Sequence, residues 1–442
     1  MKVAIAGYGV EGEQNVAYWQ SHPDVSLTII DEREQLDRPL PEDIPARLGE
    51  GAFDHLDEFD MVVRTAGLAP YKLQTTATIW SATNEFFARC PAKIIGVTGS
   101  KGKGTTASLI AAILEAAGYR TWLVGNIGIP ALSVLSQVQP EDIVIYELSS
   151  FQLWDLQQSP HTAVALFIEQ EHLDMHRTMD EYVAAKANIT AHQTATDTLI
   201  YHASNEYVAT IANGSIAQKI PFPSASAAHI TDDAFYYGDE RLCDVGVLSL
   251  VGVHNQQNAL AAIDAVWEYT HDAAAIAKGL AAFKGLPHRL SYVATVNDVA
   301  YYDDSIATTP TSAIAALRAF ADRQKVIILG GSHKGADFSE LAHELTRHDV
   351  QAILIGDEAA EIAAACDAAG FTRYEIMYDA TAMRFTERAT ALAQPGGVVL
   401  LSPASASFGL FKNYVDRGEQ FIAAVRRLSS DHSPATNAER AD

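Results

Sequence analysis

The stretch KIIGVTGSKGKGTTASLIAAILEAAG, residues 93–118, decides how this chain is read. It opens as an apolar strand and closes as a helix with an apolar face, with Gly99, Gly102 and Gly104 in the turn between them. Such a turn sets backbone N–H groups and the positive end of a helix dipole around an anion. Lys103 lies in that turn, within reach of the terminal phosphates of a nucleotide. The spacing departs from the full G-x-x-x-x-G-K-[ST] pattern, because Val97 stands where the first glycine belongs and Gly104 where Ser or Thr belongs. Thr105 or Thr106 then supplies the hydroxyl for Mg²⁺. Taken alone, the stretch also fits a glycine-rich turn with a solvated lysine.

The same alternation of strand and helix continues outward in both directions. KVAIAGYGVEG, SLTIID and a third strand near MVVRTAG form a first block. KIIGVTG, DIVIYELSS and AVALFI form a second, and VAYYDDS, KVIILGG, QAILIG and VVLLSP a third. Short apolar strands separated by helices predict an α/β fold with mostly parallel sheets. Pro91 in ARCPAK and the stretch FKGLPHR (283–289) mark the linkers. The expected domains are therefore 1–90, 91–286 and 287–428, and the small polar residues of 429–442 predict a disordered tail. A chain of 442 residues exceeds what one core holds, which agrees with several domains.

Composition removes several function classes. Apolar residues make up 48% of the chain, yet no run approaches 18 uninterrupted apolar residues, so membrane insertion is not expected. The N-terminal residues read as a strand and turn, not a signal peptide. Cys90, Cys243 and Cys366 are scattered, which suits a reducing cytoplasm and neither disulfides nor zinc. A net charge of −24 argues against a nucleic-acid partner. Anionic ligands must be held by backbone N–H groups, helix N-termini and a few cations.

Four further groups carry candidate chemistry. Gly7, Gly9 and Gly12 in GYGVEG follow the first strand, and Asp31 closes the second, where an acid often meets a ribose. The pattern supports a nucleotide or nucleotide-sugar diphosphate without choosing NAD, and equally a tight turn. Glu147 ends the strand DIVIYE, where a magnesium ligand beside a phosphate loop is expected. In EQEHLDMH, His172, Asp174 and His176 read on their own as solvated loop residues, and Lys186 as a surface helix lysine. The segments DDSIATTP (303–310), GGSHKGADFS (330–339) and LLSPASASFGLFKNYVDRGEQF (400–421) each put small polar residues or a lysine after an apolar strand. Lys334 and Ser407 are candidate binders of a small carboxylate there.

Together these motifs resemble the Mur ligases, the ATP-dependent amide-forming enzymes of peptidoglycan precursor synthesis. The resemblance runs through GYGVEG, TGSKGKGTT, GNIG, YELSSFQL, EHLDMH, AAKANI, GVHNQQNALAA, GLPHR, DDSIATTP, GGSHKGADFS and LSPASASFGLFKNYVDRGEQF, in order. It leans to the type that adds D-glutamate to UDP-N-acetylmuramoyl-L-alanine, and it implies a monomer of three domains. Gly7, Gly9, Gly12, Asp31 and Arg33 would face the uridine diphosphate, and Asn126 and His172 would hold the muramoyl substrate. Gly99, Ser100, Gly102, Lys103, Gly104, Thr105 and Thr106 would cradle ATP. Asn255 and Asn258 would contact its adenine side, with Arg289 and Asp304 near the nucleotide. Glu147 and Thr105 would bind one Mg²⁺. Lys186, matching a family lysine that is carbamylated, would bind a second with His172. Thr308, Lys334, Ser407 and Tyr414 fall where the family binds glutamate.

Four positions depart from the family pattern: Gly104, Lys101 in place of Asn, Ile306 where DSKATN-like motifs carry Lys, and a missing Asn at the start of FIEQEHLD. The Ile306 change leaves L-glutamate open as the alternative amino acid. A folylpolyglutamate-synthase-like ligase is a further alternative, opposed by the separate N-terminal block. An NAD-dependent oxidoreductase with a fused ATPase module is the different class, and no hydride-transfer site supports it. A non-catalytic scaffold derived from a ligase is the last reading.

Overall fold

The structure, a computed structural model, describes residues 1–431 apart from Asp37, Leu173, Asp174 and Lys334. Two compact units divide the chain. One comprises Met1–Ser249 with His254–Phe283, and the other Leu250–Val253 with Lys284 onward.

The first unit holds two parallel sheets. The N-terminal sheet has five strands in the spatial order Ala46–Leu48, Ser26–Asp31, Lys2–Ala6, Met61–Arg64, Thr78–Ser81. Alternate residues of Lys2–Ala6 feed separate cores, Val3 and Ile5 on one face and Ala4 and Ala6 on the other. Both faces are therefore covered, as a parallel sheet requires. The sequence missed the short Ala46–Leu48, so the strand in MVVRTAG is the fourth and not the third.

The central sheet has six parallel strands, with Lys93–Thr98 between Ile143–Glu147 and Thr162–Ala165. Helix Lys103–Ala116 is buried along most of its length and packs on helix Ala273–Ala282. Gly279 permits that approach, since a Cβ there would overlap Ile113 Cα. A three-stranded antiparallel sheet, 228–244, was not expected from the sequence. Its signal was present: Asp232 and Asp233, both at positive φ, form a hairpin turn, and Gly238 opens the next.

Arg64 ties the two sheets together. Its guanidinium is fully buried and donates to both carboxylate oxygens of Asp155 at 2.7 and 2.8 Å, to Phe151 O at 2.8 Å and to Leu68 O at 2.7 Å. Asn84 adds a second tie, donating to Asp155 O and accepting from Gln157 N.

The second unit is a six-stranded sheet, parallel except for Ser291–Val296 at its edge. Strand Val398–Leu401 lies between Val299–Asp303 and Lys325–Gly331. The last helix, Tyr414–Asp431, continues three residues into the segment read as a tail, and 432–442 lie outside the described residues. Among the described residues, no helix is long and apolar enough to cross a membrane.

Candidate active site

In the central sheet, the opening stretch forms a phosphate-loop geometry. Gly99 and Gly102 take φ of +153° and +86°, and Gly102 caps helix Lys103–Ala116. A Cβ at Gly102 would overlap Asn258 Oδ1, so the loop is pressed against the helix that carries Asn255 and Asn258. Those two asparagines hydrogen-bond each other at 3.2 Å. Lys103 Nζ donates to Gly99 O and Ser100 O at 3.1 and 2.7 Å. Lys101, one of the departures from the family pattern, forms an ion pair with Glu169 in the EQEHLDMH segment, and Ser100 Oγ bonds the Glu169 backbone.

Glu147 sits beside this loop because its strand pairs with the loop's strand, Val97 opposite Glu147. It is buried, and Asn126, itself exposed, donates its N–H to Glu147 O at 3.1 Å. Gly125 allows this crossing, since a Cβ there would overlap the same carbonyl. Thr105 and Thr106 are both buried, and Thr106 Oγ1 has no hydrogen-bond partner among the described residues. A carboxylate and hydroxyls beside a phosphate loop are the hard oxygen donors that Mg²⁺ selects.

Lys186 departs most from what its residue type suggested. Helix Met179–Ala191, capped by Thr178, puts Tyr182 and Lys186 one turn apart on its inner face. Lys186 is buried, and its Nζ donates to Gly99 O at 2.7 Å and lies 4.7 Å from the centre of the Tyr182 ring. Burial, and then repulsion from Lys103, hold its pKa well below the ordinary lysine value, with Glu171 and Glu147 opposing. Tyr182, which sequence reasoning missed, joins the parts. Its hydroxyl lies 2.9 Å from Ser100 Oγ, and its ring meets those of His172 and His176. His172, at φ +58°, is exposed, and one side of its ring meets Phe151. His176 is fully buried between Phe151 and Trp154, not solvated as its loop position suggested. Asp174 lies outside the described residues.

In the N-terminal sheet, Gly7 takes φ +90°, and a Cβ there would overlap Thr65 Oγ1. A Cβ at Gly12 would overlap Gly7 O, whereas Gly9 faces open space. Asp31 is committed to holding this turn. It accepts from Tyr8 N at 2.7 Å and from Arg33 through the backbone N–H, Nε and the terminal nitrogen at 2.9–3.0 Å. Burial raises its pKa, but the hydrogen bonds from Arg33 and Tyr8 N outweigh this and hold it below the usual carboxylate value.

The second unit brings its three expected segments to one sheet edge. Asp303 and Leu401 are register partners, and Ser332 bridges to Ala406. Asp304 is buried, accepting from Ser402 Oγ and Leu290 N, and burial pushes its pKa up to about 7. Ser407 is buried, Thr308 is partly exposed, and Tyr414 and Arg289 are exposed. Ser305 Oγ donates to Tyr414 O at 2.7 Å. Arg417, which the sequence reading did not single out, is fully buried and donates to Ser305 and Ser405. Lys334 lies outside the described residues.

Family models match two parts of the chain: residues 97–266 match the Mur ligase middle domain, and 288–405 the Mur ligase glutamate ligase domain. A protein of Acetivibrio thermocellus named UDP-N-acetylmuramoylalanine--D-glutamate ligase is 34% identical, covering 97% of each chain. The chain belongs to the Mur ligase family. A Clostridium tetani protein of the same name is 33% identical, again over 97% of each. A MurF ligase of Thermotoga maritima, solved in complex with ADP, has a TM-score of 0.61 at 16% identity. It covers 98% of this chain and 95% of its own, and it shows the shared fold.

Proposed function

We propose that this Mur ligase joins D-glutamate to UDP-N-acetylmuramoyl-L-alanine with ATP, releasing ADP and phosphate. The observation that carries the reading is the convergence of Lys103, Lys186 and buried Glu147 on the loop 98–103 in a chain with the kinship above. An amine does not attack a carboxylate at neutral pH. Transfer of the γ-phosphoryl group to the alanine carboxylate makes an acyl phosphate and frees ADP. Attack of the glutamate amine on the carbonyl then expels phosphate. Lys103 is placed to move from its loop carbonyls to the phosphate oxygens and neutralise charge there.

Glu147 and a hydroxyl of Thr105 or Thr106 are the groups that would hold Mg²⁺, which when bound neutralises phosphate charge. A second ion at His172 and Lys186 requires that Lys186 carry a carboxylate, because an ammonium repels a cation. Its burial favours the unprotonated amine, which adds CO₂ and loses a proton to become a carbamate. The N-terminal sheet is read as the seat of the UDP moiety, and the sheet edge of the second unit, with Thr308, Ser407 and Tyr414, as the seat of the glutamate.

Phosphate release from UDP-N-acetylmuramoyl-L-alanine with D- or L-glutamate in parallel tests this. Release with D-glutamate is expected. Release with L-glutamate alone would reassign the amino acid, and release with neither would remove the proposal.

A further inference from the structure

This inference rests on the reading of the N-terminal sheet as the UDP seat. In that sheet Lys2–Ala6 pairs with Ser26–Asp31 on one side and Met61–Arg64 on the other. The strand order reverses between Lys2–Ala6 and Met61–Arg64. A ligand of such a sheet lies beyond the carboxyl ends at that reversal. Two loops line the crevice there, 7–12 and 65–68. Thr65 closes against Gly7 on one side, and Thr65 Oγ1 donates to Ala6 O at 3.0 Å. Glu11 spans the crevice, its Oε2 accepting from Ala66 N at 2.8 Å. Its carboxylate lies in the first turn of helix Val10–Gln20, where N–H groups and the helix dipole favour negative charge. An acid thus occupies a position suited to a phosphate oxygen.

We propose that Glu11 is a latch across the diphosphate crevice: its carboxyl group holds Ala66 N–H where a phosphate oxygen would, and the substrate diphosphate displaces it as the carboxyl takes up one proton from solvent. The groups facing Glu11 are Arg64 from its strand, Asp155 from the segment after helix Ser150–Leu153, and Tyr146 from strand Ile143–Glu147. Arg64 is already engaged by Asp155 and by backbone carbonyls, so it leaves the Glu11 charge partly uncompensated. Burial pushes the Glu11 carboxyl above its usual range and Asp155 adds to this, while Ala66 N–H and Arg64 oppose. An arriving diphosphate acts in the same direction as Asp155 and favours the proton.

The test is calorimetric binding of UDP-N-acetylmuramoyl-L-alanine to the full chain and to its Glu11→Gln and Glu11→Ser variants between pH 6.5 and 8.5. The diphosphate of this ligand is a diester and does not titrate there. The Kd of the unaltered protein is expected to rise by up to about tenfold per pH unit. Glu11→Gln, which keeps an acceptor for Ala66 N–H but no charge, is expected to flatten that slope and to bind about tenfold tighter at pH 8.5. Glu11→Ser should follow it, with an unchanged unfolding midpoint reporting the fold. Equal slopes in all three proteins, or weaker binding by both variants throughout, would overturn the latch. Absence of binding in all three would overturn the UDP seat itself, and the latch with it.

Discussion

The first unit contains two glycine-rich turns built alike and furnished with different side chains. Both follow a central parallel strand, both use a left-handed glycine packed against a neighbouring element, and both open a helix. The turn at 98–103 is armed with two amines, Lys103 and Lys186, held against the same carbonyl of Gly99. At the turn 7–12 acids hold the backbone: Asp31, paired with Arg33, accepts from Tyr8 N, and Glu11 bridges to Ala66. Under the proposed function the backbone would supply phosphate affinity in both, and side-chain charge would separate a place where phosphate reacts from one where it is only held. A reacting phosphoryl group needs charge neutralisation in the transition state. A diphosphate used as a handle needs binding that can be reversed.

This contrast is open to attack at four points. The largest expected effect is Lys103→Met, which should lower ATP-dependent phosphate release about 10³-fold while leaving the affinity for the UDP-linked substrate within a few fold. Loss of that affinity by a similar factor would erase the distinction between the turns. Lys186→Ala should lower turnover roughly 10²-fold, with no recovery in added bicarbonate. Near-normal turnover would refute the carbamate. Gly7→Ala meets Thr65 Oγ1 and requires a positive φ, so the KM for the UDP-linked substrate should rise about tenfold with the KM for ATP unchanged. A matched rise in both constants would mean that the two turns act as one site.

The smallest effect concerns stability. Asp31 has a native pKa below its unfolded value, so its stabilisation is complete above the unfolded value near 3.8 and is lost as pH falls through the native one. Asp31→Asn should therefore cost about 1–3 kcal/mol at pH 7 by urea unfolding, and the deficit should shrink below pH 4. A deficit that persists in acid would assign the effect to packing.

Much of the fold was legible because apolar strands and glycine turns are local signals. KIIGVTG and KVAIAGYG announced their own geometry. The antiparallel sheet at 228–244 was missed because its strands are short and half-polar, although the Asp232–Asp233 turn marked it. The site was less legible. Nothing local in EYVAAKANI distinguishes a buried lysine from a surface one, and only the family resemblance selected Lys186. Tyr182 was passed over, and His176 was read as solvated, because their places arise from tertiary contact: the Tyr182 side chain is shared among His172, Lys186 and Ser100, and His176 packs between Phe151 and Trp154. Asp31 was read as a ribose partner from its place at a strand end, but both its oxygens serve the turn itself.

The pair of buried Arg64 and partly exposed Asp155 sets a rule for anyone building chimeras from these enzymes. A chimera that kept Arg64 but packed it against a central sheet without Asp155 would strand a fully buried guanidinium, and one unmatched buried charge costs about 3–5 kcal/mol. A foreign N-terminal sheet grafted here should carry its own cation at that strand end to meet Asp155. Sequences compatible as donors can be sorted on that single position before any are made.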